Sequence, residues 1–74
     1  MMPVINAFAR TGRSKISTRV LVEYDASGRV LSAKVDPSTH NRNLDSAIQA
    51  WVLGVHLKPG PAGSGWLPID MSLK

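Results

Sequence analysis

The chain has no cysteine, few aromatic residues, few acids and no long apolar run. Without cysteine it can form neither a disulfide framework nor a thiolate metal site, and it offers no thiol nucleophile. That absence leaves the compartment open, because cysteine-free domains occur on both sides of a membrane. The longest apolar stretch falls far short of the ~20 residues that a spanning helix needs. The start, Met1-Met2-Pro3-Val4, lacks the charged and apolar regions of a signal peptide. Two expectations follow: a cytoplasmic protein, or a domain cut from a longer chain whose targeting segment is missing. Nine lysines and arginines stand against five acids, for a net charge of +4. Arg10, Arg13, Lys15, Arg19 and Arg29 lie before residue 30, and Lys34, Arg42, Lys58 and Lys74 are spread over the rest. Such a balance suits nucleic acid, anionic lipid, an acidic partner or a solvated surface.

The missing residue types also bear on catalysis. There is no glycine-rich phosphate loop and no nucleophile-elbow sequence. Each acid has a sufficient structural place: Asp25 in a turn, Asp36 before Pro37, Asp45 in a first helical turn, Glu23 and Asp70 on strands. His40 and His56 flank a helix sixteen positions apart and cannot form an i, i+4 metal pair. No catalytic residue, metal site or cofactor is expected, and the chain reads as a non-enzyme. Nucleic-acid binding by a sheet calls for paired aromatics on central strands. Phe8, Tyr24, Trp51 and Trp66 supply no such pair, so no nucleic-acid partner is expected, though a small basic nucleic-acid binder stays open as an alternative.

What is present is a sequence of local signals. With 74 residues the chain is one domain, and at this size only about 60% of the unfolded chain's surface is buried on folding. Residues 1–16 read as an N-terminal arm or a short helix, with Val4, Ile5, Phe8 and Ala9 on one face, Pro3 near its start and Gly12 at its end. Thr18, Val20, Val22 and Tyr24 alternate with Ser17, Arg19, Leu21 and Glu23, the period of a half-buried strand. Asp25-Ala26-Ser27-Gly28 is a turn, since aspartate bonds the backbone two residues on and glycine accepts positive φ. Leu31, Ala33 and Val35 then share one face of a second strand, so 17–35 is a β-hairpin. Asp36-Pro37-Ser38 stops it.

Leu44, Ala47, Ile48, Trp51 and Val55 form one apolar stripe, which predicts a helix over 43–54 with Asn43 as N-cap and Asp45 in the first turn. Pro59-Gly60-Pro61 forbids continuation. Leu67, Ile69, Met71 and Leu73 alternate with Trp66, Pro68, Asp70 and Ser72, which predicts a last strand over 66–73. A proline within a strand is tolerated at a sheet edge, so this strand is expected at the edge. The fold class is therefore α+β: a three-stranded antiparallel sheet with one main helix on one face, burying Leu31, Ala33, Val35, Ile48, Trp51, Ile69 and Leu73 together.

Three stretches carry a resemblance. The strand from Val20 into Asp25-Ala26-Ser27-Gly28 and Val30 resembles the first hairpin of TonB C-terminal domains, the periplasmic domains of TonB/TolA-like energy transducers. Leu44-Asp45-Ser46-Ala47-Ile48-Gln49-Ala50 is similar to that family's helix start. Val55-His56-Leu57-Lys58-Pro59-Gly60 falls at the spacing of its post-helix motif, with Pro59 fifteen residues after Leu44. The likeness covers residues 16–74. Where the family has tryptophan and phenylalanine after the helix, this chain has Val55 and Leu57. The tyrosine-proline motif upstream of the first strand has no counterpart here, nor do the membrane anchor and the proline-rich spacer.

The resemblance implies a periplasmic domain, anchored to the inner membrane in a longer protein, that grips a peptide of an outer-membrane receptor or envelope component by adding it as a strand to its sheet edge. Leu67, Ile69, Asp70, Met71, Ser72 and Leu73 would then form the docking edge, with pairing strongest from Ile69 onward because Pro68 lacks a donor. Arg10 and Arg13, with Lys15, would attract an acidic partner. Two further expectations are an adaptor of another envelope or secretion machine with the same fold, and a homodimer through the exposed edges.

Overall fold

The computed structural model describes residues 2–72, and their order is α1 (Met2–Arg10), β1 (Lys15–Tyr24), β2 (Val30–Val35), α2 (Arg42–Leu53) and β3 (Gly63–Ser72). The α+β class and the three-stranded antiparallel sheet are as expected, in the order β2-β1-β3. Leu73, assigned above to the core and the docking edge, lies outside the described residues.

The N-terminal segment is a helix. Val4 and Phe8, four apart, are buried, while Ile5 is exposed. The Thr11 N–H and hydroxyl both donate to the Phe8 carbonyl, and Gly12 at φ 74° turns the chain out of the helix. The period-two reading of β1 holds residue for residue: Ile16, Thr18, Val20 and Val22 are buried and the residues between them are not.

The hairpin turn is built by Asp25. Its carboxylate accepts from the Ser27 N–H at 3.0 Å, the Ser27 hydroxyl at 2.6 Å and the Arg29 N–H at 3.1 Å. These bonds, the Ser27 hydroxyl first and the Arg29 N–H next, hold its pKa below the ordinary carboxylate value. Just past the turn the strand departs from simple alternation. Tyr24 pairs with Val30 and Glu23 with Ser32, so Leu31 is the extra residue of a β-bulge. Val30 therefore enters the core, and Leu31, expected inside, is 59% exposed. Ala33 is buried and Val35 half-buried, as the alternation beyond the bulge requires.

Helix α2 starts one residue earlier than expected, and its N-cap is Asn41 instead of Asn43. Asn41 is extended at φ −134°, ψ 110°, and its side-chain oxygen accepts from the Leu44 N–H at 3.0 Å. Asp45 reaches back from the first turn to accept from the Thr39 N–H at 2.9 Å and from the Ser38 and Thr39 hydroxyls. Its partial burial works to raise its pKa, but those bonds outweigh burial and hold it below the usual value. Leu44, Ile48 and Val52 are the helix's buried stripe, and Trp51, expected in the core, is only half-buried. Together with Val4, Phe8, Ile16, Val20, Val22, Val30, Ala33 and Ile69 they form one core between the sheet and the helices. Helix α2 packs on β2, and α1 packs on α2; the main neighbour of β3 is β1.

Candidate functional site

A three-stranded sheet has two edges, and here they differ. The outer edge of β2 is partly covered by the chain itself. The Gln49 side chain, on α2, donates to the Ala33 carbonyl at 2.8 Å. The segment after α2 returns beside the start of the strand: Arg29 bridges His56, and the Leu57 N–H donates to the Gly28 carbonyl at 2.8 Å. The approach is so close that a Cβ on Gly28, which has φ 89°, would lie 2.0 Å from the Leu57 carbonyl oxygen. Glycine is required there on both counts.

No such cover lies along β3 among the described residues. Which of its backbone groups face outward follows from the register. The Arg19 carbonyl accepts from the Asp36 N–H at 3.0 Å on the β2 side. In an antiparallel strand the N–H and C=O of one residue point to the same side. Arg19 thus faces β2, and Pro68, directly opposite it on β3, turns its nitrogen and carbonyl to the open edge. By alternation, Ser64, Trp66, Asp70 and Ser72 also present their N–H and C=O outward, while Gly65, Leu67, Ile69 and Met71 are turned toward β1. The missing donor of Pro68 therefore falls on the free edge, where no ladder bond to β1 is lost.

This geometry sorts the expected site residues. Asp70 and Ser72 carry free edge donors. Leu67, Ile69 and Met71 contribute side chains to the helix side of the sheet, Ile69 buried and the other two half-buried. Of the stretch from Ile69 onward, Asp70 and Ser72 turn their donors to the open edge, as Ser64 and Trp66 do before the proline. Asp70 also accepts from the Ser17 hydroxyl at 2.5 Å, which pins its side chain over the outer sheet face. Arg10 is exposed in the last turn of α1. The Arg13 guanidinium donates to the Thr39 carbonyl at 2.6 Å, which ties the loop before β1 to the loop before α2.

Two features of the site were not named from the sequence. On the outer face the Arg19 guanidinium lies 4.0 Å from the centre of the Trp66 ring, and 47% of Trp66 is exposed. Trp66 and Arg19 sit on neighbouring strands in diagonal register, a relation that becomes visible only with the pairing of β1 and β3 known. On the helix side, a hollow of about 360 Å³ opens beside β3, lined by Val22, Val30, Val52, Val55, Leu57 and Leu67 together with Tyr24, Lys58, Gly65 and Trp66. No family model matches the chain, and no curated protein or solved structure matches it either.

Proposed function

We propose that this chain is a docking domain of the TonB-like energy-transducer type, working in the periplasm, which takes an extended segment of a partner protein as a fourth strand on β3. The observation that carries the reading is the contrast between the edges: β2 is partly covered, by Gln49 on the Ala33 carbonyl and by the segment around Leu57 beside Gly28, and β3 keeps a row of outward backbone groups. Strand addition needs such a row, with alternate side chains giving selectivity. Each backbone hydrogen bond contributes about 1 kcal/mol net, so four donors and their carbonyls give modest affinity, suited to a partner that is gripped and released. The hairpin, helix and edge strand after residue 15 follow the order that the resemblance implies. The outer face speaks less for a nucleic-acid binder, because Arg19 covers one face of the only exposed tryptophan ring among the described residues.

The test is amide hydrogen exchange on the protein with and without a receptor-derived peptide. Strand addition protects Ser64, Trp66, Asp70 and Ser72 and leaves the inward amides between them unchanged. A peptide that binds without this period-two pattern would remove the proposal. Binding of labelled single-stranded DNA that collapses steeply with salt would favour the nucleic-acid reading instead.

A further inference from the structure

We propose that the outer face of the sheet, the side away from the helices, is a self-association surface. Two copies pack face to face with their strands antiparallel, Leu21 on Leu21, and Arg19 of each copy meets Glu23 of the other.

The solvent face of an antiparallel sheet is ordinarily polar, and both helices share the core on the other side. Three apolar side chains nevertheless stand on the outer face. Leu21 on β1 and Trp66 on β3 are directly paired, and Trp66 is 47% exposed. The bulge in β2 turns Leu31 out of the core onto the same face, beside Leu21 and Glu23. The apolar band therefore crosses all three strands, and contact with a second copy would withdraw it from water.

Charge selects the occupant. Alternation along the strands places Lys15, Arg19 and Lys34 on this face with Glu23, Asp36 and Asp70, all exposed. Three basic and three acidic residues leave the face neutral, and the net +4 of the chain lies elsewhere. A nucleic acid or an anionic lipid surface gains nothing from a neutral face, while a second copy meets no net repulsion. The order along β1 is Arg19, Leu21, Glu23, all on this face. A two-fold axis through Leu21, running across the strands, lays Glu23 of each copy over Arg19 of the other. Both groups have bonding capacity to spare. Arg19 stacks on Trp66 and gives one long bond of 3.4 Å to the Asp36 carbonyl, and Glu23 accepts from the Ser32 hydroxyl. Lys34, at the β2 end of the Leu21 row, keeps its ammonium in water through its flexible stem. Strand spacing and rise make the face about 14 Å by 34 Å, less than the roughly 800 Å² per partner of a standard interface. The dimer is therefore weak, with a dissociation constant on the order of 100 µM.

Sedimentation of the whole chain from about 10 µM to about 1 mM, which brackets that constant, should show the parent dimerising. Leu31→Ser should weaken the dimer on the order of tenfold without lowering the melting temperature, since Leu31 lies outside the core. Arg19→Glu and Glu23→Arg should each abolish it by setting like charges face to face. An equimolar mixture of these two variants should associate again, because each close pair then joins an arginine to a glutamate. Both variants keep a positive net charge, so bulk attraction does not account for that recovery. Should Arg19→Glu lose its fold with the Trp66 stack, Glu23→Arg and Leu31→Ser decide alone. A parent that is monomeric at the highest concentration overturns the proposal. So does a dimer that ignores Leu31→Ser and Glu23→Arg, or one that protects the Ser64, Trp66, Asp70 and Ser72 amides, which is pairing through the β3 edge. Those amides lie in the plane of the sheet, so failure of the face-to-face dimer leaves peptide docking at that edge untouched.

Discussion

The two edges of the sheet come from strands that share one neighbour, yet chain lies against part of one and, among the described residues, along none of the other. β2 (Val30–Val35) and β3 (Gly63–Ser72) both flank β1. What separates them is the path of the chain after β2. It must cross the sheet to reach β3, and on the way α2 packs on β2, Gln49 reaches the Ala33 carbonyl, and the segment to Leu57 lies beside Gly28. No chain remains among the described residues to cover β3 in the same way. An edge is therefore open or closed by topology more than by its own residues. The residues then adapt: β3 carries Pro68 and the charged Asp70 at outward positions, both of which discourage pairing with another copy. In a symmetric β3–β3 pair spanning Pro68, the missing donor would be felt twice.

The contrast can be broken most severely at Gly28. Gly28→Ala forces a Cβ into the Leu57 carbonyl and requires φ 89° of an alanine. The expected loss is about 3 kcal/mol or more, a fall in melting temperature of well over 10 °C for a domain this small. Calorimetry or thermal circular dichroism checks it, and a variant that melts like the parent would show that the closed edge does not depend on this approach. Gln49→Ala should cost about 1 kcal/mol by freeing the Ala33 carbonyl. It should also raise amide exchange along β2 while leaving β3 as it was.

Pro68→Val sharpens the contrast from the other side. It restores a donor on the open edge and should change stability by no more than about 0.5 kcal/mol. Its main effect is on association: sedimentation at two concentrations should show more self-pairing than in the parent. Equal sedimentation would mean that the proline is not what guards the edge.

The smallest effect lies on the acid side. The folded pKa of Asp45 is depressed, so its contribution is present above the ordinary aspartate value of about 3.9 and is lost as pH falls through the folded value. Because Asp45 holds the loop that leads into α2, the closed edge should loosen first in acid. Stability should fall below about pH 4, and Asp45→Asn should be less stable at neutral pH with a flatter acid limb.

Much of this architecture is legible in single residues. The alternation Thr18 to Tyr24, the aspartate–glycine turn and the stripe of Leu44 and Ile48 depend on side chains a few positions apart, and those elements match. Pro68 identified the edge because a missing N–H is a local fact. The misses have a different origin. Alternation alone puts Leu31 inside because it assumes an unbroken ladder, and the bulge at Glu23/Tyr24 shifts the count by one. Asn41 and Asn43 are both asparagine, so residue type does not choose the N-cap. The choice turns on where the chain arrives, which the bonds from Thr39 and Ser38 to Asp45 fix. Trp51 reads as core by spacing, but the stripe is centred on Leu44, Ile48 and Val52, and the tryptophan sits at its margin.

By itself, then, the sequence determined the kinds of elements, their order and the edge character of the last strand, since these follow from interactions within a turn or a hairpin. Only the tertiary structure decided that β2 is partly covered, that Ser64, Trp66, Asp70 and Ser72 are the free donors, and that a hollow adjoins them. Those depend on Gln49 meeting Ala33, Leu57 meeting Gly28 and Asp36 meeting Arg19. Such meetings join residues far apart in the chain, and no local pattern encodes them.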